Sequence, residues 1–126
     1  MGRVTRVVNK RYEDFDVYIG RGSIWGNQYT HPYNTKSLVI VGSREEAIEL
    51  YRLDLVASCN QPDPVKRKAF RAELASLHGK TLGCYCAPLP CHGDVLAVYA
   101  AKAHAVEIMG ELIEDYFGLE ALVGPG

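Results

Sequence analysis

Residues 81–101 read T-L-G-C-Y-C-A-P-L-P-C-H-G-D-V-L-A-V-Y-A-A, and the fold turns on how this stretch is divided. Thr81 to Cys84 reads as a strand that runs into a loop restricted by Pro88 and Pro90. From Asp94 onward, Val95, Leu96, Val98, Tyr99 and a run of alanines continue as an apolar helix to about Ala105. The alanines predict close packing on a sheet. A strand feeding a helix through one loop is the repeating unit of an α/β domain.

The rest of the chain repeats this grammar. Arg3 to Val8 is a valine-rich strand, Val17-Tyr18-Ile19 a second one closed by Gly20, and Leu38 to Val41 a third apolar run bounded by Gly42. Ser43-Arg44-Glu45-Glu46 matches a capping box, in which the Ser43 hydroxyl accepts from the Glu46 N–H and the Glu46 carboxylate reaches back. The helix it starts should bury Ile48, Tyr51 and Leu55, flanked by Ala47 and Leu50, and end near Ser58. Asp63-Pro64 opens another helix, with Phe70, Leu74 and Leu77 as its buried stripe up to Gly79. Ile108, Leu112, Ile113, Tyr116 and Phe117 predict a last amphipathic helix, so residues from about 106 to 126 form a helical extension ending in a frayed Gly124-Pro125-Gly126. These elements predict one small α/β domain over residues 1–126, its mostly parallel sheet of about four strands carrying helices packed on it.

Composition agrees. The chain has 126 residues, 48% hydrophobic and 23% charged, with no apolar run near the roughly 18 residues that span a bilayer. No membrane association is expected. The 14 Lys and Arg against 15 Asp and Glu give a net charge of -1, which supplies no global attraction to nucleic acid. A local basic site is still open, because Arg3, Arg6, Lys10 and Arg11 crowd the N-terminal region. The opening M-G-R-V-T-R-V-V-N-K lacks the features of a secretory signal, so a cytoplasmic location and reduced cysteines are expected.

Three of the four cysteines and one histidine fall within Gly83 to Asp94. Cys84 and Cys86, two apart, would point to one face, while Cys91-His92 arrive at the start of the following helix. Cys84, Cys86, Cys91 and His92 therefore make a candidate tetrahedral zinc set of three thiolates and an imidazole. Should only the thiols bind, His92 is free for acid–base work and a coordination position stays open. A reactive thiol at Cys91 and plain packing are the other readings of the same residues, and Cys59 is read as a buried small hydrophobe. Asp94 is either the helix N-cap or a catalytic carboxylate beside His92.

The second unusual stretch is V-Y-I-G-R-G-S-I-W-G-N, Val17 to Asn27. Gly20, Gly22 and Gly26 can turn the backbone so that N–H groups converge on an anion, with Arg21 and Ser23 adding donors. Trp25 could stack on a base and Asn27 pair with its edge, against the plainer readings of a tight turn and a packed tryptophan. The pattern is neither a dinucleotide fingerprint nor a Walker A loop. Both segments follow short strands, and ligands of open α/β sheets collect at the carboxyl ends of strands, so the two should border one pocket. Tyr29, His31 and Tyr33 are candidates for its wall.

At these stretches, and at L-H-G-K-T-L-G-C-Y-C-A-P-L-P-C-H-G-D-V-L with the helix G-S-R-E-E-A-I-E-L-Y-R between them, the chain resembles a family of small bacterial and bacteriophage domains of unknown function. The resemblance covers about Val4 to Ala100. It implies an asparagine-proline pair where this chain has Asn27-Gln28, and no particular activity. The function expected from the residues is binding of a nucleotide or other phosphorylated small molecule between the Gly20–Asn27 and Cys84–Asp94 loops, with catalysis left open. The alternative is a zinc-stabilised module that engages a protein or nucleic acid without catalysis.

Overall fold

The computed structural model describes residues 4–30 and 39–109. His31, Tyr33, Leu38 and the extension beyond Met109 lie outside them. The elements are β1 (Arg6–Asn9), β2 (Val17–Tyr18), β3 (Tyr29–Thr30), β4 (Val39–Ile40), α1 (Arg44–Cys59), α2 (Pro64–Ala75), β5 (Thr81–Cys84) and α3 (His92–Met109).

Strand β5 is the centre of a parallel sheet ordered β1-β5-β2. All four of its residues are buried, as expected of a strand paired on both edges and covered on both faces. Val7 and Val17 both stand opposite Leu82, and Val8 and Tyr18 opposite Gly83. Leu82, Ile19 and Cys84 join the core with Tyr51, Leu55 and Val56 of α1, Leu74 of α2, and Leu96 and Tyr99 of α3. The other face is closed by the chain itself. Because β1 and β2 run parallel on opposite edges of β5, residues 10–16 must return across it in a link shorter than the usual dozen or so residues. Gly83 makes room: a Cβ there would lie 2.6 Å from Cγ of Phe15. Asp16 anchors the far end, its N–H bonding the Thr81 carbonyl and its carboxylate accepting from the Thr81 N–H.

The helix caps follow the sequence closely. Ser43 Oγ accepts from the Glu46 N–H at 3.0 Å, but the Glu46 carboxylate reaches the N–H of Gly42 rather than that of Ser43. Asp63 accepts from the N–H groups of Val65 and Lys66. Helix α1 buries Ala47, Tyr51, Leu55, Val56 and Cys59. Its C-terminal end borrows a cation from α2: buried Arg71 donates from Nε to the Cys59 carbonyl at 2.6 Å and from Nη2 to Asn60 Oδ1 at 3.1 Å. No basic residue stands in the last turn of α1 itself, so this cap was invisible locally.

Three boundaries differ from expectation. Helix α2 stops at Ala75, and residues 76–79 form turns that end in Gly79 at φ 81°. Helix α3 begins at His92, two residues before Asp94, and runs without a break through Met109. The described sheet has three strands instead of about four, because Val39–Ile40 leaves it to pair in parallel with Tyr29–Thr30. That pair is held on α1, where Gln28 Nε2 and Tyr29 Oη both donate to Asp54. A two-residue strand carries no periodicity, so the Tyr29 segment reads as a loop in sequence. No helix among the described residues is long and apolar enough to cross a membrane.

Candidate functional site

The cysteine loop is fastened before it is functional. Asn9, at the end of β1, donates from Nδ2 to the carbonyls of Tyr85 and Ala87, each at 3.1 Å. The Leu89 N–H closes a turn onto the Cys86 carbonyl, and Cys91 caps α3, its own N–H donating to Asp94 Oδ2 at 3.0 Å. Asp94 thus serves the helix start, where a carboxylate complements the exposed N–H groups. It does not line the cavity described below.

The glycine segment folds as a self-bonded turn. Ser23 donates both its N–H and its hydroxyl to the Gly20 carbonyl, and Gly26 donates to Ser23. Gly22 takes φ 89°, the left-handed region that glycine adopts without strain. Gly26 packs so tightly over the turn that a Cβ would sit 2.8 Å from the Gly20 oxygen. Trp25 belongs to the core: it is 6% exposed, its ring lies 5.8 Å from that of Phe70, and its carbonyl accepts from Tyr51 Oη. Burial, and not a base, occupies the indole. Asn27 is also committed, donating to the Ala47 carbonyl while its Oδ1 accepts from the Tyr29 N–H.

The two segments nevertheless meet at one cavity of about 760 Å³, within the range of small-molecule sites. From the expected set it is lined by Arg21, Asn27, Tyr29, Cys84, Cys86, Cys91 and His92, whereas Gly20, Gly22, Ser23, Trp25 and Asp94 stand outside it. Lys10, Arg11, Tyr18, Arg44 and Tyr85 complete the polar lining. Four of these side chains are cationic, Lys10, Arg11, Arg21 and Arg44, and no carboxylate occurs among the described residues that line the cavity. Lys10 lies over the rings of Tyr18 and Tyr85, and Arg11 over Tyr85, contacts that hold the two cations at the cavity wall.

Arg44 is the residue that the sequence reading passed over. It sits in the first turn of α1, a place where the helix dipole disfavours a cation, and that mismatch was the available signal. Its Nη1 donates to the Pro90 carbonyl at 3.3 Å, so α1 grips the cysteine loop from above.

At the floor, Cys84 Sγ and Cys91 Sγ lie 3.6 Å apart, and the half-buried Cys86 lines the same cavity. Donation from Cys84 and Cys91, followed by the Arg44 guanidinium, holds the Cys86 thiol far below its ordinary range. Cys91 is pushed the opposite way by its two sulfur neighbours and by burial. The opposite directions follow from coupling, since a negative charge on one of these two thiols disfavours a second beside it. Among the described residues, no group of three or more His, Cys, Asp or Glu is arranged to hold a metal ion. His92 is turned away from the sulfurs, its Nε2 lying 2.6 Å from the Ile19 carbonyl and its ring edge-on to Tyr51.

A carbonyl only accepts, so His92 Nε2 carries the proton and ties α3 to the end of β2. Burial depresses the His92 pKa, although the Ile19 carbonyl, Cys86 and Asp94 act against that and Arg21 with it. A histidine whose folded value lies below its unfolded one gives stability that is complete above the unfolded pKa, about 6.5. That stability is lost as pH falls toward the folded value. Urea midpoints measured between pH 7 and pH 5 should therefore decline with a His92 contribution of up to about 1.4 kcal/mol per pH unit. His92→Gln should flatten the decline, and an unchanged slope would show that His92 is not the buried neutral group.

A family model described as a domain of unknown function, DUF4326, matches residues 3–102. The chain is 41% identical over 122 residues to the "Uncharacterized 12.4 kDa protein in nrdA-td intergenic region" of Enterobacteria phage T4, a match covering 97% of this chain and 93% of that protein. No solved structure matches. Both segments that build the cavity lie inside the matched span, and on this evidence the chain belongs to the DUF4326 family.

Proposed function

We propose that the cavity binds a phosphorylated small molecule, with a nucleotide as the best-fitting class. One observation carries this: Lys10, Arg11, Arg21 and Arg44 converge on a cavity with no carboxylate among its described lining, in a chain whose net charge is -1. Like charges are gathered against their own repulsion, and an anionic guest relieves it. Arg21 and Arg44, both in the lining, hold the phosphate by forked donation. The rings of Tyr18, Tyr29 and Tyr85 offer flat surfaces to a base or sugar. The glycine turn contributes by placing Arg21, not by wrapping the anion with its backbone, because its N–H groups at Ser23 and Gly26 are bonded within the turn.

Thermal shift against inorganic phosphate, pyrophosphate, nucleoside mono-, di- and triphosphates and uncharged nucleosides tests the reading. A binder at a hundredfold excess over its Kd should stabilise by about 2.7 kcal/mol. Arg44→Ala and Arg21→Ala should each weaken binding by roughly ten- to a hundredfold, the worth of a charge-assisted hydrogen bond. No response to any phosphorylated compound in a folded wild-type protein rejects the proposal, as does an equal response to uncharged nucleosides.

A further inference from the structure

Part of the cavity wall is built of rings and cations set against each other. Strands β1, β5 and β2 run parallel, so their carboxyl ends share one edge of the sheet and deliver Lys10-Arg11, Tyr85 and Tyr18 side by side. Lys10 Nζ lies 4.7 Å from the ring centroid of Tyr18 and 5.1 Å from that of Tyr85, and the Arg11 guanidinium carbon lies 5.1 Å from Tyr85. The two tyrosine rings meet edge to face at 6.4 Å. Resting on the anion-binding reading above, we infer that the phosphate taken by the cavity belongs to a single-stranded nucleic acid, whose next nucleotides cross this wall at Lys10, Arg11 and Tyr85.

The wall is held in place by the fold itself. Asn9 Oδ1 accepts from the Arg11 N–H at 3.0 Å while its Nδ2 holds the Tyr85 carbonyl, the Lys10 N–H donates to the Cys84 carbonyl at 2.8 Å, and Tyr18 Oη donates to the Arg21 carbonyl at 3.0 Å. Arg11 and Tyr85 are nonetheless exposed, Tyr85 at 48%, and no ion pair engages Lys10 or Arg11 among the described residues. Exposed rings beside cations without a carboxylate partner are the surface that a single strand uses, its bases stacking on the rings and its phosphates following the cations. A mononucleotide has one base for Tyr18, Tyr29 and Tyr85 together, whereas a strand brings a base and a phosphate with every nucleotide.

The same observations disfavour a duplex and an acidic peptide. Bases that are paired and stacked cannot offer their faces to a ring such as Tyr85, and the carboxylates of a peptide bring nothing to stack on it. The basic surface is also short. Glu13, Asp14 and Asp16 follow on the same link, with Glu13 held by Arg6 at 3.0 Å, so phosphate contacts are confined to the four cations of the cavity. Contact with roughly three or four phosphates gives a slope of about -2 to -3 for the logarithm of the binding constant against the logarithm of salt concentration, at about 0.7 per phosphate.

The test is fluorescence anisotropy of labelled oligothymidylate and oligouridylate of about eight nucleotides, a length within the usual site size, with the matching nucleoside monophosphates, a hairpin duplex and a glutamate-rich peptide as competitors. The strand should bind roughly tenfold or more tighter than the monophosphate, with the salt slope given above, and the sugar of the tighter strand identifies its source as DNA or RNA. Arg11→Ala should weaken the strand several-fold, reduce the slope by about 0.7, and affect the monophosphate less. Lys68→Ala, exposed on α2 and outside the lining, should change neither. A strand that binds no tighter than the monophosphate overturns this inference and leaves phosphate binding in the cavity standing. A duplex or peptide that competes as well as the strand overturns it too, as does strand binding that is unchanged in both Arg21→Ala and Arg44→Ala. Failure of every phosphorylated compound to bind rejects both readings, and the wild-type comparison of lengths decides without any variant.

Discussion

Leu82→Ala is expected to destabilise the domain by about 2–5 kcal/mol, the range for truncating a leucine in a packed core. Leu82 is fully buried in β5, between Val7 on one neighbouring strand and Val17 on the other. Neither flank can close the resulting void without breaking a parallel ladder, so the upper part of that range applies. For a domain of this size the melting temperature should fall by roughly 15–20 °C. The comparison variant is Val98→Ala on α3, 53% exposed, which should stay within about 0.5 kcal/mol of wild type. Urea unfolding monitored by circular dichroism compares the two, and equal midpoints would mean that β5 is not the centre of the core.

Gly93→Val should combine lost stability with lost function. A Cβ at position 93 would lie 2.8 Å from both Ile19 Cδ1 and Val7 Cγ1 and 3.2 Å from Cys91 Sγ. These contacts are far tighter than side chains tolerate, and overpacking of this kind costs about 1–3 kcal/mol. The repulsion pushes the first turn of α3 off β1 and the end of β2, and that turn carries Cys91 and His92. The variant should therefore weaken phosphate binding at temperatures where it is still folded. Leu82→Ala, measured equally far below its own melting temperature, should keep more of it. Retention of wild-type phosphate binding in a folded Gly93→Val protein would show that the approach of α3 to the sheet does not set the site.

Much of the scaffold was legible because its signals are local. The Ser43 and Asp63 caps each act within one turn, and the structure contains both. The strand Thr81–Cys84 and the parallel α/β arrangement followed from short apolar runs between helical patterns. The meeting of Arg21 and His92 at one cavity followed from a topological rule about strand ends. Element ends were less legible. Asp94 looked like a cap, which suggested that α3 begins there, yet its carboxylate reaches back to Cys91 from the third helical position. Trp25 illustrates the opposite limit: a lone aromatic residue beside glycines could face a ligand or the core, and its contact with Phe70, 45 positions away in sequence from residue 25 to residue 70, decides for the core.

The amino-acid order alone determined where α1 and α2 start, that the sheet is mostly parallel, and which two loops hold the unusual chemistry. These depend on interactions spanning a few residues, or on chain-length constraints that hold in any fold of this class. Only the tertiary structure decided that Arg44 joins the cavity, that Lys10 and Arg11 stand on its wall, and that His92 faces Ile19. Each of these is a distance between segments far apart in the chain, set by how α1 and α3 seat on the sheet. Close approach at Gly93 seats α3 on the sheet, as Gly83 seats Phe15 on its other face, and a glycine's spelling does not reveal what it leaves room for.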